Sequence, residues 1–164
     1  MLTKEQLTKV SKEFSLKSGQ LISIKLQVPI KIRFDKIEES NFYDYAINLK
    51  ANSSFFTICS LHSNQKENII IHLDHTLVPF LIKQNGEITK EEFKGLKEIG
   101  NLILDCLNNS LKTEDFDFTF EASRMEINPI FLSVMHAKQP IHVSSFNMHL
   151  SDNSGKLYLI FPKL

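Results

Sequence analysis

Apolar residues recur at helical spacing from the start of the chain. Leu7, Val10, Phe14, Leu21 and Ile24 follow Thr3 and Gln6, which stand three apart as the two members of a capping box do. The pattern predicts a long first helix ending near Leu26. Gly19 in its interior costs about 1 kcal/mol relative to alanine, which predicts a close packing contact or a bend at that point. Pro29 ends the helical period, and Ile30, Ile32 and Phe34 then alternate with Lys31, Arg33 and Asp35, the period of a half-buried strand. A short aromatic helix or turn is expected over 41–49. The β-rich runs 54–61 and 68–73 lie on either side of the polar stretch 62–67 and read as a hairpin. Asp74 is expected to cap a short helix holding Leu77, Phe80 and Leu81, and Asn85-Gly86 marks a tight turn.

Thr89 and Glu92 repeat the capping-box spacing and open the most regular helix of the chain. Phe93, Leu96, Ile99, Ile103, Cys106 and Leu107 form one stripe, and the opposite face is polar. Phe116, Phe118 and Phe120 alternate with Asp117, Thr119 and Glu121, which predicts a strand. Two more strands are expected over 141–150 and 156–161, joined by a turn at 153–155. Each half therefore starts with a long helix feeding a sheet, and a weak internal duplication follows from that order. The pattern favours a layered α/β domain whose long helices pack on a largely antiparallel sheet; strand order is beyond what periodicity gives.

Composition narrows the class. With 164 residues, residues 1–164 suit a single domain, one that buries roughly 70% of its unfolded surface. Cys59 and Cys106 are far apart and outside any CxxC spacing, so they make neither a metal motif nor a disulfide framework. A reducing, cytoplasmic setting fits, with no leader and no spanning run. Nineteen basic residues balance nineteen acidic ones, so no net field draws the chain to nucleic acid or anionic lipid. Glycine-rich phosphate loops, G-x-S-x-G and HExxH are all missing from the sequence, and neither a cofactor, a metal nor a small-molecule substrate is expected.

The stretch 116–164 carries several landmarks in order: Glu126-Ile127-Asn128-Pro129, then Phe131, then Ser154-Gly155, then Ile160-Phe161-Pro162. It resembles the last part of the middle domain of FliM, the bacterial flagellar motor switch protein, with its E-x-N-P-x-F, S-G and C-I-P-Y/F signposts. Upstream, Lys12-Glu13-Phe14, Val28-Pro29-Ile30-Lys31-Ile32 and Asp35-Lys36-Ile37 are similar to FliM's E-R-F, R-P/S-V-x-I and D-S-V. Ile88-Thr89-Lys90-Glu91-Glu92 resembles its F-T-x-x-E helix start. The likeness covers about 10–162. It implies a CheC-like, pseudo-duplicated domain with a structural role in the switch ring (C-ring) at the flagellar basal body, on the inner face of the membrane. The implied partners are other switch-ring subunits, FliG-like and FliN-like proteins, phosphorylated CheY and further copies of the chain.

Two departures qualify the resemblance. FliM carries a G-G-x-G loop that contributes to docking on FliG, whereas Lys83, Gln84, Asn85 and Gly86 stand in that place, so only the last glycine is kept. Neither FliM's N-terminal CheY-binding segment nor its C-terminal FliN-like domain is expected here. The corner at Glu126, Asn128, Pro129 and Phe131 serves equally as a fold determinant or a docking site, because proline fixes its own φ and biases the residue before it toward extended geometry.

A catalytic alternative rests on Glu98-Ile99-Gly100-Asn101. The similar CheC and FliY proteins dephosphorylate CheY through a helical [D/S]-x-x-x-E-x-x-N motif with a later proline. There the amide orients a water at an aspartyl-phosphate and the glutamate holds a lysine of the partner. Spacing of three places Glu98 and Asn101 on one helix face. Lys94, however, occupies the Asp/Ser position, Arg124 stands about where the proline belongs, and the first helix offers only Lys9 and Lys12 in the matching places. An exposed face must carry polar residues anyway. His72 and His75 are spaced for a metal but have no third ligand at suitable spacing, and read as strand-end and cap residues. His136, His142 and His149 read as partly exposed strand residues, two of which could share a sheet face.

Overall fold

A computed structural model describes residues 2–48, 54–61, 64–81, 88–127 and 138–163. The first helix, α1 (Lys4–Leu26), begins at Thr3, whose hydroxyl accepts from the Gln6 amide while the Gln6 side chain accepts from the Thr3 amide. It ends at Gln27, whose φ of 54° turns the chain into a left-handed cap. Its inner face is Leu7, Val10, Ser11, Phe14, Ser18, Gly19 and Ile22. The expectation for Leu21 and Ile24 fails: both are exposed. The reason lies at Gly19, where a Cβ would stand 3.2 Å from the Ile32 amide nitrogen and 3.3 Å from the Ile30 carbonyl oxygen. The following strand runs back against this side of the helix, so small residues occupy the contact. Ser23 fixes the approach by accepting from the Ile30 amide at 2.8 Å.

That strand, β1 (Ile30–Asn41), is longer than its alternation suggested and carries a bulge between Phe34 and Lys36, which returns Ile37 to the helix side. There follow α2 (Phe42–Ile47), β2 (Phe55–Leu61) and β3 (Asn64–Leu73), the last two paired as the expected hairpin. A turn held by Asp74 leads into α3 (Val78–Leu81): its carbonyl accepts from the Leu77 and Val78 amides, and its carboxylate from the His75 amide. The second long helix, α4 (Lys90–Thr113), has the complete Thr89–Glu92 capping box. The chain closes with β4 (Phe120–Glu126), β5 (Pro140–Leu150) and β6 (Asn153–Pro162).

Two boundaries differ from the expectation. Residues 116–119 are not in a strand, because β4 pairs with β2 only from Leu61 opposite Phe120 onward and nothing in β2 remains for Phe116 and Phe118 to pair with. The β5–β6 turn is at Ser151 and Asp152, between the facing residues Leu150 and Asn153, with Ser151 at a φ of 52°. Gly155 lies inside β6, where a Cβ would meet the Leu77 backbone at 2.7 Å. The glycine is needed for this close approach and not for a turn. Asn85 and Gly86 lie outside the described residues.

The strands form one antiparallel six-stranded sheet in the order β1-β5-β6-β3-β2-β4. Exchanging β1, β2, β3 for β4, β5, β6 reproduces the same order read backwards, so the two halves are related by a pseudo-two-fold axis between β3 and β6. The helices α1 and α4 pack on each other and on one sheet face. Their stripes and the helix-facing strand residues, among them Phe14, Phe55, Leu107, Phe146 and Leu159, make the main core. A smaller cluster lies on the opposite face, where Phe42 of α2 meets Phe56, Ile58, Ile70, Ile141, Val143 and Ile160. None of the described helices is long and apolar enough to cross a membrane.

Candidate functional site

The polar face of α4 follows from what its other face buries. Leu96, Ile99, Gly100 and Ile103 point into the core, which leaves Lys94, Glu98 and Asn101 exposed. Glu98 and Asn101, three residues apart, stand about 60° apart around the helix axis. Among the described residues neither side chain makes a hydrogen bond or an ion pair, so both are open to a partner. Gly100 brings this part of the helix onto the sheet. A Cβ there would lie 2.5 Å from the Thr57 hydroxyl and 3.5 Å from the Met125 Cε, which sets the Glu98–Asn101 turn beside the edge strand β4. About two turns further on, the Asn108 side chain clips the same strand by accepting from the Phe120 amide and donating to its carbonyl, each at 2.9 Å.

On β4, Arg124 is exposed and its Nε donates to Glu126 at 2.8 Å. Glu126 thus ends the strand in an ion pair. Its companions Asn128, Pro129 and Phe131, like Lys83, Gln84, Asn85 and Gly86, lie outside the described residues. On α1, Lys9 and Lys12 are exposed, with Lys9 3.8 Å from Glu5. The pseudo-symmetric helix offers no carboxylate and amide pair there.

The histidines separate into unlike environments. His142 and His149 occupy opposite faces of β5, seven residues apart, with His142 buried and His149 exposed; no shared face exists for this pair. Burial lowers the His142 pKa, with the Glu39 carboxylate opposing that shift. His75 lies against its own neighbour, Nδ1 being 2.6 Å from Asp74 Oδ1. His72 stands one residue before the end of β3 and is only 1% exposed. Its ring stacks on Phe56 at 4.5 Å and on Tyr158 at 5.3 Å, and its Nδ1 shares a hydrogen bond with the Tyr45 hydroxyl. Burial pushes its pKa down to about 4, with Asp74 acting in the opposite direction and His75 adding to the depression. The two histidines do not converge, and among the described residues no three His, Cys, Asp or Glu side chains are placed to hold a metal.

This aromatic stack escaped sequence reasoning. Tyr45, His72 and Tyr158 are brought together by the β3–β6 register, which sets His72 opposite Tyr158, and by α2 folding over that face. No local spacing announces it. Cys59 and Cys106 are both buried thiols, and burial pushes their pKa values up to about 12 and about 11, which removes them as nucleophiles.

No protein-family model and no curated protein matches the sequence. Solved structures do. The FliM middle domain of Vibrio alginolyticus superposes with a TM-score of 0.82 at 16% identity, over 96% of this chain and 93% of that one. FliM in the FliG–FliM complex of H. pylori gives 0.83 at 11% identity, over 98% and 94%. Thermotoga maritima FliY gives 0.77 at 14% identity, over 99% and 92%. At such identities the likeness is one of architecture, and it agrees with the doubled helix-and-three-strand plan: the chain has the CheC/FliY/FliM-like fold.

Proposed function

We propose that this chain is a non-enzymatic component of a flagellar motor switch ring, which it forms, joins or modifies by side-to-side packing of FliM-like domains. The observation that carries the reading is the superposition on FliM middle domains along more than nine-tenths of both chains, together with an α4 surface that presents Lys94 where a phosphatase of this fold places Asp or Ser. The work is then done by outer surfaces. The Lys83, Gln84, Asn85 and Gly86 segment faces a FliG-like partner; the FliM of the H. pylori structure is itself bound to FliG. FliN-like subunits, phosphorylated CheY and further copies of this chain complete the set of proposed contacts. The corner from Glu126 to Phe131 acts within the domain, and the place of action is the cytoplasmic face of the basal body.

A second reading is favoured by one feature, the exposed and unpartnered Glu98 and Asn101 on a single face of α4. In it the chain is a CheY-phosphate phosphatase: Asn101 orients the attacking water and Glu98 holds the partner's lysine. Mixing the purified protein with FliG and with phosphorylated CheY, and following complex formation and phosphate release, separates the two. A complex with FliG and an unchanged rate of phosphate loss is expected. Acceleration that disappears in Asn101→Ala, with the circular dichroism spectrum kept, overturns the structural reading in favour of the phosphatase. Failure to bind FliG without such acceleration removes both.

A further inference from the structure

The sheet face opposite the long helices holds an open groove of about 460 Å³, within the range of small-ligand sites. Its floor includes Tyr158 and His72, adjacent across the β6–β3 ladder. Tyr45 of α2 stands over them, edge-on to both rings. Three carboxylates, Glu38, Asp44 and Asp74, complete the wall, and among the described residues no lysine or arginine lines it. Among the described residues the nearby cations are few. Lys36 pairs with Glu38 at 2.7 Å, and His75 engages Asp74. Among the described residues the Asp44 carboxylate is bonded only by the Asn41 side-chain amide. The groove therefore holds a surplus of negative charge beside two aromatic rings.

An independent observation comes from His72. His72 lines the groove, Phe56 and Tyr158 cover its two faces and Tyr45 takes Nδ1, so Nε2 is the ring nitrogen left for a guest. That nitrogen is buried and has no hydrogen-bond partner, an arrangement that costs free energy unless a guest supplies one. With Nδ1–H donating to the Tyr45 oxygen, Nε2 offers a lone pair to an N–H donor. Acidic rim, aromatic walls and an orphan acceptor favour one class of guest, because a cation gains from both carboxylates and π-faces.

We propose that this groove binds an organic cation, an alkylammonium or guanidinium group held between Tyr45, Tyr158 and the carboxylates of Asp44, Asp74 and Glu38, with an N–H donated to His72. The proposal is independent of the switch-ring reading. The group is supplied as a free amine or as a basic side chain of a bound protein, and the chemistry of recognition is the same.

The test is titration of the full chain, labelled with ¹⁵N, with n-butylammonium chloride at constant ionic strength; n-butanol and sodium butyrate are the size-matched neutral and anionic controls. Butylammonium is expected to shift the amide signals of Asp44, Tyr45, Asp74 and Tyr158 and to drive the His72 imidazole nitrogens to the tautomer protonated at Nδ1. Asp44→Asn, at an exposed position, is expected to weaken binding roughly three- to fivefold. A capped Gly-Lys-Gly peptide that binds more tightly than butylammonium identifies a side chain as the natural guest, and the reverse order identifies a free amine; both support the cation site. Equal shifts with butanol or butyrate, shifts away from the groove, or an Asp44→Asn protein that binds unchanged would overturn it. Tyr45→Phe retains the ring and the apolar contact, and should lose the His72 tautomer response while keeping the fold.

Discussion

Burial of an imidazole favours its neutral form, and at His72 the desolvation outweighs the Asp74 carboxylate nearby, giving a folded pKa of about 4 against about 6.5 in the unfolded chain. The unfolded state therefore binds more protons between these two values. The stability that His72 contributes is complete above pH 6.5, falls as the pH drops through this window and is gone below about 4. The difference amounts to about 3 kcal/mol. Urea unfolding measured from pH 7 to pH 4 on the wild type and on His72→Gln should show the wild type losing stability faster with acid by this order. Parallel pH profiles for the two proteins would show that the imidazole titrates in the fold as it does in the unfolded chain. The same residue marks a limit of local sequence reading. A histidine next to Leu73 and Asp74 reads as the end of a strand, and only the three aromatic rings from β2, β6 and α2 around it, contributed by distant parts of the chain, make it a buried one.

At the scale of elements, the two glycines of α4 make opposite demands. A Cβ at Gly95 would meet nothing within 4 Å, so Gly95→Ala should gain the helix preference of alanine, about 0.5–1 kcal/mol. At Gly100 a Cβ would stand 2.5 Å from the Thr57 Oγ1, and overpacking of about 1–3 kcal/mol outweighs that gain. Thr57 Oγ1 is buried without a hydrogen-bond partner, so Thr57→Ala frees the space at little polar cost. Urea midpoints for Gly100→Ala, Thr57→Ala and the double variant should therefore show a favourable coupling of at least 1 kcal/mol, and additive effects would contradict the packing described. Helices were the legible elements. Both capping boxes, Thr3 with Gln6 and Thr89 with Glu92, depend on residues three apart, and the Glu98–Asn101 pair shares a face by the same local geometry. Phe116 and Phe118 alternate as well as any strand, yet their state is decided by where β2 stops. Leu21 and Ile24 fit a helical stripe, yet the approach of β1 to Gly19 gives the buried positions to Ser18 and Ile22. In each failure a tertiary neighbour, absent from the local pattern, chose the outcome.

For the whole molecule, the sequence suggested a duplication of helix and strands but not how the halves interlock. The answer is that their third strands, β3 and β6, are neighbours at the centre of the sheet, while the outer pairs β1–β5 and β2–β4 each join strands of different halves. Neither half is a closed unit. The chain ends also lie close to each other: Lys163 bonds Glu39 at 2.6 Å, and the charge of Lys4 is felt by the same carboxylate and by His142. A protein rewired to begin at Ile88 and end at Leu81, with a short glycine-serine bridge from Lys163 to Leu2, should keep the far-UV circular dichroism spectrum and unfold in one cooperative transition. A disordered product would mean that the order of synthesis is built into the fold. The pseudo-two-fold axis thus makes the numbering of the halves a matter of genetic history and not of mechanics: either could have been encoded first, and each was free to specialise its own surface, α4 with Glu98 and Asn101, α1 with Lys9 and Lys12, while the shared centre kept both in place.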